Sequence, residues 1–507
     1  MKNLIQPFLV LVLFLLQTSN LLAADEYSLN GEWQIIFDQQ NQGSSKKFQL
    51  QENFQKYHQI RNIQVPSCWE TIEQDYEGVA WYGKTFRLPE GWKEKTIRLN
   101  FAAVNYRAEV WLNGEPVGYH DGGYTPFEFE VEDLIIPDKE NFLVVRVIGP
   151  IISKDLVIDG FAKDDTPHWR GAITGGIWQS VTLIATNKTY IKNVFIIPNI
   201  QTNTAKVEVT LNNAAATPQQ INALLSISPK KAAQEKISSK TQKLDLAPGE
   251  TKFTVTLPIK NAKYWSPDSP FLYVLDVNLG ATDQKKIPFG MREFTLKNDD
   301  FYLNGKKLYM KTGFWEGFYP NTLAYPETEE IIRKEFAYAK EIGFNCLRPW
   351  RKQVPPITLE LADELGMLII ASPAIECMRQ WPTATPFMEA RFKTEFTEMV
   401  ERDRNHPSVI LWELFNEIER KAVGRLKHKT AIMVRNLDPS RIIIDESGGW
   451  YGGSHAYLPY SIEPTVINCI ARLVILLNSI NSDNTAKKKI MFTTIANIPS
   501  VTPIVLF

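Results

Sequence analysis

A chain of 507 residues is too long for one ordinary domain and has room for about three. Hydrophobic residues make up 44% and charged residues 22%, the proportions of a folded soluble protein. The 56 basic residues nearly cancel the 57 acidic ones, leaving a net charge of −1. That balance supplies no electrostatic reason to expect nucleic acid or an anionic membrane surface as a partner.

The N-terminus reads as an export signal. Lys2 supplies the positive charge, Phe8 to Leu16 form an unbroken apolar run, and the small residues Ala23 and Ala24 precede the acidic Asp25-Glu26. The run is short for a bilayer span, so cleavage after residue 24 is expected rather than an uncleaved anchor, with a secreted or periplasmic product that has no membrane partner. Cys68, Cys346, Cys377 and Cys469 lack metal-ligand or framework spacing, and nothing in their positions demands a disulfide.

Residues 25–187 alternate as strands do. In Lys95 to Phe101 the apolar side chains recur every second position, placing Ile97, Leu99 and Phe101 on one face. Val110-Trp111-Leu112 runs into Asn113-Gly114, a hairpin signal because that turn needs positive φ at both central residues. Phe142 to Ile148 reads as another buried strand. Many short strands between Gly and Pro turns predict a jelly-roll-like β-sandwich. A second β region, residues 188–290, has Phe253, Val255 and Leu257 alternating with threonines and a strand at Tyr273 to Val277. Its length suits an immunoglobulin-like sandwich without the Cys-Trp-Cys core.

From Met291 the rhythm changes to strands alternating with amphipathic helices. Strands are expected at Leu308 to Thr312, Asn345 to Arg348, Met367 to Ser372, Val409 to Phe415 and Ile442 to Asp445. Between the first two, a helix opens after Pro326 with Glu327, Glu329 and Glu330 suiting its dipole, buries Ile332, Phe336 and Ala339, and stops at Gly343. Repeated strand–helix units predict a parallel sheet and, after two β modules, a (β/α)8 TIM barrel over 291–460. Five strands are visible where a whole barrel has eight, so the barrel is expected to be incomplete. The tail 461–507 has no Gly or Trp, crowds Ile, Asn, Thr and Lys, and reads as aberrant sequence. A sheet stopped at five strands should leave a bare edge and a poorly folded C-terminal half.

The sharpest local feature is the stretch Arg402 to Glu417, in which a basic loop around His406-Pro407 leads into an apolar strand ending on Asn416-Glu417. Polar residues at the C-terminal end of a barrel strand occupy the face where such barrels place their chemistry. A carboxyl held there can act as a general acid; it can equally be a glutamate satisfying a helix dipole.

This stretch, Asn-His-Pro-Ser followed by a strand and Asn-Glu, resembles the acid/base motif of glycoside hydrolase family 2. Further stretches resemble that family in the right order: Val65-Pro66 with Trp69, Trp81-Tyr82, Val110 to Gly114, Asp121 to Phe127, Gly175 to Trp178, Trp265-Ser266-Pro267 and Gly290 to Phe294. The resemblance implies an enzyme hydrolysing terminal β-glycosidic bonds of an oligo- or polysaccharide, β-galactosides first, without a cofactor. It makes Glu417 the acid/base and Asn416 the amide that holds the sugar 2-hydroxyl. Arg348 matches an arginine that orients the catalytic carboxylates, although it could also pair with a structural acid. Trp315, Trp350 and Trp450 fall at strand ends and are candidates for the sugar platform, with a packing role expected for at least one. Glu376 resembles a magnesium ligand of some β-galactosidases, but the partner position is Met378, whose thioether does not suit magnesium, so no metal is expected. Pro349 to Gln353 and Trp315-Glu316 also depart from the family pattern.

A retaining glycosidase needs a second carboxylate about 5 Å from the first. The family takes this nucleophile from the seventh strand, and no residue of this chain matches it. Glu463 and Asp483 are the only acids of the tail, and neither sits in such a motif. Glu446 is the weak substitute, with Asp445 beside it. The chain is therefore expected to be an inactive hydrolase; the alternative is a non-catalytic carbohydrate-binding or remnant protein.

Overall fold

The computed structural model describes residues 24–163, 165–166, 174–315, 317–349, 351–375, 386–418, 421–448 and 453–466. The segment read as an export signal and most of the tail lie outside these.

The N-terminal sandwich packs a four-stranded sheet, in the order 25–28, 181–186, 96–101, 127–130, on a six-stranded one, in the order 61–65, 31–37, 79–87, 140–148, 107–112, 115–121. The alternation read from sequence places Ile97, Leu99 and Phe101 in the shared core with Trp33, Tyr82 and Val145. The Asn113-Gly114 turn is present, with φ of 55° and 87° at its two central residues. The second sandwich packs three strands (189–199, 204–213, 249–258) on four (238–246, 219–229, 273–278, 284–289) around Val207, Leu225, Val255 and Leu275.

In the third domain five parallel strands follow one another: β1 (Thr312–Trp315), β2 (Cys346–Pro349), β3 (Leu368–Ala371), β4 (Val409–Asn416) and β5 (Ile442–Ser447). The helices α1 (Glu329–Glu341), α2 (Pro356–Leu365), α3 (Met388–Asp403) and α4 (Lys427–Leu437) pack outside. Helix α1 buries Ile332, Phe336 and Ala339 as its spacing requires. Helix α2 opens on a proline and ends on Gly366 at φ 69°, where a Cβ would lie 2.3 Å from the Pro267 carbonyl oxygen.

Two expectations are corrected. Leu308 to Thr312 is not a strand. Leu308 ends a small antiparallel sheet (294–297, 300–303, 306–308), and the first barrel strand begins at Thr312. That sheet packs Phe294, Phe301 and Leu303 against Cys346, Leu368, Ile410 and Ile442, at or near the starts of β2 to β5, and so seals the N-terminal foot of the barrel. Nor is the edge of β5 bare. An antiparallel strand β6 (His455–Tyr457) pairs with β5, and β7 (Pro464–Val466) pairs with β6. The alternation over so few residues was too short to stand out in the sequence.

Candidate active site

The stretch that carries the family resemblance divides between the two ends of β4. Its first half lies at the foot and fastens the strand to the second sandwich. Asn405 Oδ1 accepts from the Ile196 N–H at 2.9 Å, and its Nδ2 donates to the Val194 carbonyl at 2.8 Å. His406 Nδ1 lies 2.6 Å from Asp363 Oδ2, and the Ser408 N–H donates to Oδ1 of the same carboxylate at 2.9 Å. Arg292, from the Gly290 to Phe294 stretch, donates to the carbonyls of Pro407 and Val409 at 3.1 and 2.6 Å. Asn405 and Arg292 thus serve domain docking, while His406 and Ser408 tie the strand to helix α2.

The second half opens onto the opposite, C-terminal end. Glu417 sits just past β4 with φ of 50°, its N–H donating to the Ser447 carbonyl at 2.8 Å. A positive φ at a non-glycine residue is a local cost that turns the side chain away from the strand direction. Glu417 Oε2 is buried and has no hydrogen-bond partner among the described residues. Asn416 is 5% exposed, and its Nδ2 likewise has no partner. Two adjacent polar side chains thus hold unused hydrogen-bonding capacity where a barrel places its chemistry.

Arg348, ending β2, reaches across to β4 and β5. Its Nε donates to Glu413 Oε2 at 2.5 Å and its Nη2 to Glu413 Oε1, so the pair is bidentate. Nη2 also donates to Asn416 Oδ1 at 3.0 Å and to Ser447 Oγ at 2.9 Å. Ser447 Oγ donates in turn to Asn416 Oδ1 at 2.5 Å. Arg348 therefore pairs with a buried acid, one of the two roles open to it in the sequence. Glu413 and Ser447 were missed there. Glu413 did leave a signal: a lone charge inside Val-Ile-Leu-Trp-Glu-Leu-Phe must be paired if that strand is buried.

Glu446 is placed otherwise. It pairs in register with Phe415, whose ring packs on Phe392 and Phe396 of α3. Partners in register project to the same side of a sheet, so Glu446 faces the helix layer while Asn416 and Ser447 face the interior. It is fully buried, accepting from Lys427 Nζ at 2.6 Å and from the Ile418 N–H at 2.7 Å. Asp445 accepts from the His455 N–H at 2.7 Å, with His455 Nδ1 at 2.9 Å. Both acids are committed to structural bonds.

Trp315 is 3% exposed and packs edge-to-face on Phe336, the packing role foreseen for at least one of the three tryptophans. Trp350, Trp450 and Glu376 lie outside the described residues. Among the described residues no three His, Cys, Asp or Glu side chains gather into a metal-binding group. The described cysteines, Cys68 and Cys346, are free and buried.

Helix α3 holds the barrel to the first sandwich through four side chains at helical spacing. Arg391 pairs with Asp165 at 2.9 Å, and Glu395 Oε1 accepts from the Gly123 N–H at 3.0 Å. His120 Nε2 lies 2.9 Å from Glu398 Oε1, and Arg402 donates to the Tyr124 carbonyl at 2.9 Å. The stretch Asp121 to Phe127 thus contributes to a domain seam. Glu395 Oε2 accepts from Gln353 Nε2 at 3.3 Å. Burial, reinforced by neighbouring Glu398, raises the Glu395 carboxyl from 4.5 to about 7 against the opposing pull of the Gly123 N–H.

Three family models match successive parts of the chain. The sugar-binding domain of glycosyl hydrolases family 2 matches residues 27–187, the family 2 model itself residues 189–292, and the family's TIM barrel domain residues 294–487, beyond the described strands. A β-galactosidase of Alteromonas mediterranea is 26% identical over 460 residues, covering 84% of this chain and 43% of that protein. A β-glucuronidase of Paenibacillus borealis is 26% identical over 449 residues, 82% of this chain and 72% of that protein. The chain thus spans under half the length of the first of these relatives. The crystal structure of a putative β-galactosidase from Bacteroides fragilis superposes with a TM-score of 0.72 at 22% identity, covering 83% of this chain and 63% of that one, a likeness of fold. With all three domain models in order along one chain whose fold has the same three parts, this protein belongs to glycosyl hydrolases family 2.

Proposed function

We propose that this chain carries the acid/base half of a retaining β-glycosidase site, that it binds a terminal β-linked sugar of the β-galactoside type, and that as it stands it does not turn that sugar over. The observation that carries the reading is the pair of groups without a partner among the described residues, Glu417 Oε2 and Asn416 Nδ2, at the C-terminal end of β4. In hydrolysis Glu417 would protonate the leaving oxygen while a second carboxylate attacks the anomeric carbon. The three acids of β4 and β5 are committed to other bonds, which supports this reading: Glu413 is bound to Arg348, Glu446 to Lys427 and Asp445 to His455. Export through the signal read at residues 1–24 is part of the same proposal and rests on the sequence pattern alone.

The test uses the mature chain and its Glu417→Ala variant. Aryl β-galactoside, β-glucuronide and β-mannoside are assayed for turnover, and phenyl 1-thio-β-galactoside for binding by calorimetry. The expected result is no turnover and thio-galactoside binding that weakens in the variant. Turnover lost in the variant would place a working nucleophile within this chain and refute the inactivity. Binding untouched by the variant would favour a non-catalytic carbohydrate-binding protein using its sandwiches.

A further inference from the structure

The two donors beside Asn416 fix which end of its amide is presented. Arg348 has donors only, so the Asn416 atom facing its Nη2 at 3.0 Å has to be the carbonyl oxygen. Ser447 Oγ donates to the same oxygen at 2.5 Å, filling its second lone pair. The NH2 end is left pointing elsewhere, buried and without a partner among the described residues. Glu413 holds the guanidinium in this pose by its bidentate bond, 4% exposed against 8% for Arg348. Arg348 also lies over the Phe314 ring, 4.8 Å from its centroid. With one fork edge on Glu413 and Nη2 shared with Asn416 and Ser447, Arg348 spends this edge on protein acceptors.

We propose that Glu413 and Ser447 are positioning residues, Glu413 through Arg348 and Ser447 by its own hydroxyl, which lock the Asn416 amide with its NH2 toward the bound sugar, so that the site reads a sugar hydroxyl as a hydrogen-bond acceptor. The inference rests on the proposed sugar site and adds what sets its polarity. Without Ser447 the Asn416 oxygen loses one of its two donors, and the amide is freer to present oxygen in place of nitrogen. Without the Glu413 charge the guanidinium loses its bidentate anchor and the amide loses its fixed reference. Threonine at 447 keeps the hydroxyl and glutamine at 413 keeps the shape without the charge, which separates positioning from packing.

Calorimetry on the full chain compares phenyl 1-thio-β-galactoside with its 2-deoxy analogue. Wild type is expected to favour the parent sugar about tenfold, the worth of one good hydrogen bond. Ser447→Ala and Glu413→Gln are expected to bring that preference down to about twofold or less, and Ser447→Thr to restore it. An undiminished preference in both variants overturns the proposal. A second arm needs no sugar. In protein labelled with 15N-asparagine, the Asn416 Nδ2 resonances, identified by their loss in Asn416→Ser, should move in Ser447→Ala and Glu413→Gln but not in Ser447→Thr. Unmoved resonances overturn the positioning role whatever the sugars do. If wild type binds neither sugar while the resonances move as stated, the amide lock stands and the β-galactoside reading of the site falls.

Discussion

Glu395 offers a test of the domain seam with a defined sign. Its carboxyl is fully buried and raised from 4.5 to about 7, so the folded protein holds this proton more tightly than the unfolded chain does. The stabilisation from that proton is complete below the unfolded value of about 4.5 and is lost as pH rises through about 7. A rise of this size corresponds to about 3 kcal/mol, an upper bound because the neighbouring Glu398 contributes to it. Glu395→Gln should remove the dependence. The amide oxygen can keep the Gly123 N–H, and its NH2 can donate to Gln353 Oε1, which is buried without a partner among the described residues, once the Gln353 amide has turned over. Urea unfolding followed by tryptophan fluorescence at pH values from about 5 to about 8 should find the variant close to wild type at the acid end and about 1–3 kcal/mol more stable at the alkaline end. A difference between the two proteins that stays flat across this range would refute the reasoning.

Two further outcomes follow from buried contacts. Arg348→Met strands the Glu413 carboxylate and should cost the barrel about 3–5 kcal/mol in urea unfolding, most of it recovered when Glu413→Leu is added; a double variant as unstable as the single one would contradict the charge argument. Gly175→Ala would bring a Cβ to 2.3 Å from the Trp69 indole, which is wholly buried, and should destabilise the first sandwich by about 1–3 kcal/mol, read as a lower melting temperature with the barrel transition unmoved.

The parts of this molecule that were legible in the sequence are those set by local periodicity. Ile97, Leu99 and Phe101 showed their face, Asn113-Gly114 showed its turn, and Ile332, Phe336 and Ala339 showed a helix that the fold then buries. The ends of β4 were legible too, because a polar dipeptide closing an apolar run has few places to go in a barrel. What was hidden depends on which strands become neighbours. That Arg348 would meet Glu413, or that Ser447 would share the Asn416 oxygen, follows from the β2 to β5 order and not from spacing along the chain. The surroundings of Glu446, the weak substitute, were hidden for the same reason. It ends a barrel strand, but the register that pairs it with Phe415 turns it toward Lys427 and the helices.

The foot of β4 has a kinetic consequence. Arg292 belongs to the segment leaving the second sandwich, and its guanidinium holds two carbonyls at the base of the strand whose far end bears Glu417. Asn405 stitches the same loop to the edge of that sandwich. Melting of the middle domain would therefore release the lower anchor of the candidate site, so the two should lose structure in one cooperative step with a shared rate. A protease that nicks the middle domain in its folded state should leave the β4 end of the candidate site intact until this anchor lets go, and the proposed sugar binding should then vanish abruptly rather than fade.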